Sequence, residues 1–202
     1  MIEKIFNLNF KLRRLLYPIW NRIKFRIKHV AFGYNMMIST NMYLTVSLKA
    51  KIQIGNNFVF TSGECFNPLC RNIKGCIITE SEAIISIGND VGMSSTCLWA
   101  HKKITIGNNV KIGGDTIIMD SDAHSLDFVL RRNPLLDQNN KKNIPITIED
   151  DVLIGARCII LKGVTIGARS VIGSGSVVTK SIPADCIAAG NPCKVIRCFH
   201  KK

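Results

Sequence analysis

Residues 148–178 read IEDDVL IGARCI ILKGVT IGARSV IGSGSV V, and this stretch decides the fold. Every sixth residue is aliphatic, at Ile148, Ile154, Ile160, Ile166, Ile172 and Val178. Four residues beyond each aliphatic stands a small or β-branched side chain, as at Val152 and Cys158. A period of six fits neither an α-helix, which repeats about every 3.6 residues, nor one uninterrupted strand, which repeats about every two residues.

The same phase extends towards the N-terminus, through Ile106, Ile112 and Ile118 and, in weaker form, around Ile54 and Ile87. Short parallel strands joined by tight corners explain it, because the Gly, Asn and Asp residues at the corners tolerate positive φ. Three hexads form one triangular coil, and stacked coils bury a continuous core. The sequence therefore predicts an all-β fold, a left-handed parallel β-helix over residues 33–188 with a C-terminal tail at 189–202. An ordinary β-rich domain with fortuitous Ile-Gly turns is the alternative.

Residues 1–32 are predicted to form a basic amphipathic α-helical segment. Its apolar stripe consists of Ile5, Leu8, Leu12, Leu15, Ile19, Ile23 and Ile27. Pro18 is expected to divide the segment into two helices. Residues 1–30 hold eight Lys and Arg against Glu3 alone, which gives +7 of the total net charge of +13. Two interpretations remain open, a cap over the open end of the β-helix or adsorption to an anionic membrane surface.

Composition narrows the classes of function. The eight cysteines contain no C-x-x-C pair, so neither a metal site nor a disulfide framework is predicted, and reduced thiols are expected. The basic charge indicates a partner with phosphates, but the stacking aromatics and motifs of nucleic-acid binding are missing. No secretory signal or membrane-spanning stretch is recognised. A cytoplasmic protein is expected, with contact to the inner face of the membrane as a further option.

Residues 125–143 are polar, charged and out of phase, and they are predicted to form a loop that protrudes from one corner. His124 stands immediately before this loop, at the hexad position after Ile118 where an aliphatic is expected. An imidazole at this place is suited to acid–base catalysis. Either Asp120 or Asp122 is expected to orient it, and Asp122 is the candidate catalytic partner. A surface histidine that merely begins a loop is the alternative.

The chain resembles the hexapeptide-repeat acyltransferases. The resemblance rests on the hexads, on Asp120-Ser-Asp-Ala-His124, on Gly163-Val-Thr-Ile-Gly and on Ala189-Gly-Asn-Pro-Cys-Lys-Val-Ile-Arg. It covers roughly residues 50–198 and is nearest to the maltose, galactoside and polysaccharide O-acetyltransferases. It implies acetyl-CoA as donor, no metal, direct transfer to a sugar hydroxyl and His124 as general base. It also implies a homotrimer with each active site between two neighbouring β-helices.

The resemblance also assigns residues to the donor. The corner at Gly155 and Ala156 corresponds to the one whose backbone N–H steadies the developing oxyanion. Further positions carried over to the CoA site are Ser174, Thr179 and Lys180, with Lys194 and Arg197 towards the CoA phosphates.

One departure from the family concerns the acceptor. Maltose- and galactoside-type enzymes carry an asparagine and an aspartate in the coil before the histidine, whereas this chain has Ser94 or Ser95 and the Ala100-His101 region. Ser94, Ser95 and His101 are therefore weak acceptor candidates, and free maltose or galactoside is not the expected acceptor. For His101, an ordinary edge histidine is the alternative.

The sequence thus predicts an acetyl-CoA-dependent O-acetyltransferase that acts on a sugar or oligosaccharide in bacterial surface-polysaccharide biosynthesis. Two alternatives stand beside it, an N-acyltransferase for a nucleotide-linked amino sugar and a catalytically silent β-helix binding module. A γ-type carbonic anhydrase is excluded because it needs three zinc histidines, and only His101 and His124 lie inside the repeat region.

Overall fold

A computed structural model of the chain describes residues 2–63, 67–70 and 72–199. Helix α1 (Ile2–Ile27) precedes a β-helix whose coils each contribute one strand to three parallel sheets, called faces A, B and C. Face A contains β1 (Ala31–Phe32), β4 (Lys51–Ile54), β7 (Ile84–Ile87), β10 (Lys103–Ile106), β13 (Ile146–Ile148) and β16 (Thr165–Ile166). Face B contains β2 (Met37–Ile38), β5 (Val59–Thr61), β8 (Gly92–Ser94), β11 (Lys111–Ile112), β14 (Leu153–Ile154), β17 (Val171–Ile172) and β19 (Cys186–Gly190), with β20 (Cys193–Cys198) antiparallel to β19. Face C contains β3 (Tyr43–Val46), β6 (Cys76–Thr79), β9 (Cys97–Ala100), β12 (Ile117–Met119), β15 (Ile159–Ile160) and β18 (Val177–Val178).

The predicted left-handed parallel β-helix is confirmed. The chain runs through faces A, B and C in turn, so residues between strands lie at the A–B, B–C or C–A corner. The hexad aliphatics point inward and are buried, and equivalent ones stack in register, as Ile106 does on Ile148 and Ile148 on Ile166. The positions four residues later, such as Val152 and Cys158, fill the remaining interior.

Stacked amides stabilise the A–B corner. The side-chain Oδ1 of Asn89 accepts the backbone N–H of Asn56 at 2.8 Å, and Oδ1 of Asn108 accepts that of Asn89 at 2.9 Å. Asp150 continues the ladder by accepting the N–H of Asn108 at 2.6 Å. The corner is tight, because a Cβ on Gly107 would lie 2.8 Å from the backbone nitrogen of Asp150. A side chain is therefore excluded there by space alone.

Residues 61–83 and 94–103 interrupt the six-residue phase in the sequence and are therefore expected to be irregular, but the structure shows regular strands in both. Each contains a full strand of face C, β6 and β9. Within the described part of these two segments, the connection between β5 and β6 departs from the coil and includes a 3₁₀ turn at Pro68–Cys70. The six-residue phase is difficult to recognise in these two segments, because Ser, Thr, Glu and His occupy their corners in place of Gly and Asn.

The cysteines were predicted to be free thiols, and this is wrong for one pair. Cys186 and Cys198 form a disulfide, because the C-terminal tail folds back as β20 and places them opposite each other. The described free cysteines are Cys70, Cys76, Cys97, Cys158 and Cys193. Cys65 lies outside the described residues.

Helix α1 differs from expectation in two ways. It continues through Pro18 as one helix, so the predicted division is wrong. Its contact with the β-helix uses Asn21 and Phe25, both fully buried, while the described members of the predicted apolar stripe remain exposed. Those exposed members are Leu12, Leu15, Ile19, Ile23 and Ile27; the side chains of Ile5 and Leu8 lie outside the described residues.

Candidate active site

His124 lies at the C–A corner, where the chain leaves the β-helix after β12. The excursion is closed at its base, since the N–H of Ile144 donates to the carbonyl of Asp120 at 2.9 Å. Inside it are two short helices, α2 (Phe128–Arg131) and α3 (Pro134–Asn140). The predicted irregular loop is therefore an ordered excursion, and helix α3 begins where Asn133 caps the N–H groups of its first turn.

Helix α3 brings Asp137 against the histidine. Oδ2 of Asp137 lies 2.6 Å from Nδ1 of His124, and its Oδ1 accepts the N–H of Ser125 at 2.6 Å. These hydrogen bonds hold the pKa of the Asp137 carboxyl below its usual value of 3.8, the bond to His124 being the main cause. The Asp137 carboxylate is 9% exposed, whereas the His124 side chain is 65% exposed.

This geometry settles the tautomer of the neutral imidazole. A carboxylate can only accept a hydrogen bond, so the proton of His124 resides on Nδ1. Nε2 then keeps its lone pair on the exposed ring. An exposed imidazole oriented by a buried carboxylate has the geometry that general-base catalysis requires.

The expectation that Asp122 orients His124 is wrong. Oδ1 of Asp122 forms an ion pair with Nζ of Lys162 at 2.6 Å. Asp120, the other candidate, is fully buried and accepts the backbone N–H groups of the turn that begins at His101, at 2.6 to 2.8 Å. The sequence signal for Asp137 was present, since Asn133-Pro134 is a typical helix start, but the spacing did not show where that helix docks.

Of the candidate acceptor residues, His101 lies at the same C–A corner as His124. Its ring packs against Trp99 at a tilt of 43° with centroids 4.9 Å apart, and Trp99 Nε1 donates to Glu80 Oε1 at 3.2 Å. Burial, and secondarily the ammonium of Lys141, lowers the pKa of His101 from 6.5. Its Nε2 is buried without a hydrogen-bond partner among the described residues. Trp99 and Glu80 were not singled out from the sequence.

Ser94 and Ser95 lie elsewhere, at the B–C corner after β8. Oγ of Ser94 is 2.9 Å from Oγ1 of Thr61, and Oγ of Ser95 accepts the N–H of Gly63 at 3.1 Å. Both hydroxyls therefore bridge to the preceding coil. The structure does not bring them together with His124 in one chain.

The predicted donor residues divide between two corners and one strand. Gly155, Ala156 and Ser174 lie at the B–C corner, where the N–H of Ala156 donates to Oγ of Ser174 at 3.2 Å. The remaining candidates are exposed: Thr179 and Lys180 at the C–A corner after β18, and Lys194 and Arg197 on β20. In a single chain, the base and the proposed oxyanion donor thus occupy different corners.

No group of three or more His, Cys, Asp or Glu side chains suited to a metal ion occurs among the residues described.

Known proteins similar to this chain carry the same hexapeptide repeat or are acetyltransferases. Residues 145–180 match the family model described as the hexapeptide repeat of succinyl-transferase. The galactoside O-acetyltransferase of Escherichia coli is 45% identical over 94 residues, which are 46% of this chain and 42% of that protein. The 2,3,4,5-tetrahydropyridine-2,6-dicarboxylate N-acetyltransferase of Staphylococcus aureus is 51% identical over 53 residues, 26% of this chain and 22% of that protein. The matched parts are thus less than half the length of these curated relatives.

Solved structures agree over most of the chain. A mutant of an N-acyltransferase from Bacillus cereus, in complex with dTDP and coenzyme A, has a TM-score of 0.66 at 22% identity and 89% coverage of both chains. A hexapeptide-repeat acetyltransferase from Vibrio cholerae has a TM-score of 0.53 at 25% identity, over 96% of this chain and 94% of that one. The chain contains the hexapeptide repeat, and over part of its length it is similar to hexapeptide-repeat acetyltransferases, galactoside O-acetyltransferases among them.

Proposed function

We propose that the protein is an acetyl-CoA-dependent O-acetyltransferase that modifies a sugar hydroxyl in bacterial surface-polysaccharide biosynthesis, in the cytoplasm where the donor is made. The observation that carries the proposal is the pair formed by His124 and Asp137, 2.6 Å apart at the exit of a coil. The likeness to galactoside O-acetyltransferase supports a hydroxyl acceptor.

The chemistry follows from the pair. Nε2 of His124 accepts the proton of the acceptor hydroxyl while that oxygen attacks the thioester carbonyl, and Asp137 stabilises the imidazolium that forms. The N–H of Ala156 is the proposed donor to the developing oxyanion. As the carbon–sulfur bond breaks, His124 returns the proton to the leaving thiolate. Transfer is direct, so no cysteine nucleophile is needed.

The donor residues fit a substrate that carries phosphates. Lys180, Lys194 and Arg197 are exposed, and none of them forms an ion pair with a described carboxylate. Exposed ammonium and guanidinium groups bind phosphate oxygens through charge-assisted hydrogen bonds. We assign these three residues to the phosphates of the donor.

The separation of His124 from Ala156 supports a homotrimer. The first lies at the C–A corner and the second at the B–C corner, so a site that uses both needs a neighbouring copy. Face C also presents exposed Ile117 and Ile159 in register on adjacent strands. An association through this apolar face would cover it and bring unlike corners of two copies together.

A second candidate is N-acylation of a nucleotide-linked amino sugar. The match to an N-acetyltransferase over residues of the repeat favours it, because the same base can take a proton from an amine. The two candidates differ in product, an ester in one and an amide in the other.

Thiol release from acetyl-CoA, measured against a panel of mono- and oligosaccharides, tests the proposal. We expect acceptor-dependent release that falls at least about 100-fold in His124→Ala, the usual contribution of a general base. An alkali-stable product from an amino sugar would favour the second candidate. If no acceptor causes thiol release and the parent and His124→Ala behave alike, the proposal is contradicted and a catalytically silent binding module is favoured.

A further inference from the structure

The apolar stripe of helix α1 points away from the rest of the molecule. Leu15, Ile19 and Ile27 are 69%, 58% and 66% exposed, and Trp20 on the same side is 54% exposed. The opposite side of the helix carries Phe25, which is fully buried. A helix that served only to cover a core would bury its apolar side, so this one has its apolar side available for a second environment.

The orientation of the helix is fixed by hydrogen bonds. In the ladder to the second coil, the N–H of Met37 donates to the carbonyl of Phe58, so the carbonyls of Met36 and Ile38 face the open end of the β-helix. Side chains of α1 bind those carbonyls. Arg22 donates to Met36 at 3.1 Å and Asn21 to Ile38 at 3.2 Å.

Two further bonds extend this contact along the first coil. Asn21 also donates to the carbonyl of Thr40 at 2.8 Å, and Nζ of Lys24 donates to that of Met42 at 2.6 Å. The helix therefore caps the open end through these hydrogen bonds together with the buried ring of Phe25. Its apolar stripe, on the far side, faces away from the end of the β-helix.

Charge identifies what can cover the stripe. Residues 1–30 carry eight bases and one acid, and Arg26 and Lys28 are exposed at the end of the helix. A second copy of residues 1–30 would bring +7 against +7, with only Glu3 of each copy to pair, which disfavours self-association. An apolar stripe with flanking bases and a Trp is suited to the interface of an anionic bilayer.

We propose that helix α1 lies in the plane of an anionic lipid surface and holds the open end of the β-helix against it. The helix would lie on the bilayer rather than cross it, since no described helix is long and apolar enough to span a membrane. A groove of about 510 Å³ between α1 and the first two coils, lined by Ile19, Met37 and Val59 among others, extends the apolar surface beside the stripe. The inference does not depend on the proposed function.

Co-sedimentation of the full chain with vesicles tests it. We expect binding to phosphatidylcholine vesicles that contain about one third phosphatidylglycerol, weakened by salt, and little binding to phosphatidylcholine alone. The combined variant Leu15→Ser, Ile19→Ser, Ile23→Ser should bind at least about 100-fold more weakly. The matched control replaces three other exposed apolar residues, Leu48, Leu69 and Ile196, with Ser and should bind like the parent.

A second pair of variants isolates the charge. The double variant Arg26→Gln, Lys28→Gln should weaken binding to anionic vesicles about 25-fold, which is about fivefold for each base removed. The control double variant Lys51→Gln, Lys103→Gln, on face A, should bind these vesicles like the parent. Parent protein that stays in the supernatant with anionic vesicles would overturn the proposal. So would a stripe variant that binds vesicles normally but changes the oligomeric state in sedimentation equilibrium, because the stripe would then be a contact between copies.

Discussion

Replacing Asp137 by Asn should inactivate the protein more severely than replacing it by Ala. Ala removes one charge-assisted hydrogen bond to His124, and kcat should fall about 10- to 100-fold. In the Asn variant, the amide oxygen takes over the bond from the N–H of Ser125, at 2.6 Å in the parent, and the amide NH₂ then faces Nδ1. Nδ1 must become the acceptor, the proton moves to Nε2, and the base is lost. We expect a fall of about 1,000- to 10,000-fold.

The assay is steady-state thiol release from acetyl-CoA with the best acceptor of the panel. Asp122→Asn is the control, because Asp122 lies two residues before His124 in the chain but pairs with Lys162. Its kcat should stay within about threefold of the parent, as expected for a residue outside the proton path. The reasoning is refuted if Asp137→Asn keeps the activity of the parent, or if Asp122→Asn is the variant that loses it.

Three further predictions concern the scaffold. Burial lowers the pKa of the His101 imidazole below 6.5, so the unfolded chain protonates this ring more readily than the folded one. The free energy of unfolding should therefore decrease as the pH falls below 6.5. Urea titrations of His101→Gln should show a weaker dependence of that free energy on pH. Asp120→Asn, which weakens three backbone hydrogen bonds, should lower the free energy of unfolding by about 2–3 kcal/mol, and an unchanged urea midpoint would contradict this. Gly107→Ala should lower the free energy of unfolding by about 2 kcal/mol or more through overpacking. Gly175→Ala should lower it by about 1 kcal/mol, because φ is +74° there but no atom lies within 4 Å. Equal losses in denaturation experiments would argue against the corner geometry.

Much of the fold could be predicted because one inward side chain every six residues is a property of the sequence itself. Ile148 and Ile166 occupy the interior that their phase predicts, and they pair in register. The antiparallel return of β20, and with it the pairing of Cys186 with Cys198, could not be predicted in the same way. It depends on contact between a tail without the repeat and the edge of face B.

The candidate site was predictable only in part. His124 could be located because it interrupts the hexad phase, but its partner lies 13 residues further on, in a helix that docks by tertiary contact. For a related reason, the sequence left open which side of helix α1 contacts the β-helix. Amphipathic spacing shows which side is apolar, but it does not show that Asn21 and Arg22 bind the open end through backbone carbonyls.

The coil number of His124 has a geometric consequence. Parallel strands stack about 4.8 Å apart, and β12 belongs to the fourth coil, three coils above the end that α1 caps. The number of coils therefore places the His124 imidazole about 14 Å above the capped end of the β-helix. Deleting one complete coil below β12 would lower His124 by about 4.8 Å and keep its position within its own coil, so the number of repeats sets the distance between this imidazole and the capped end.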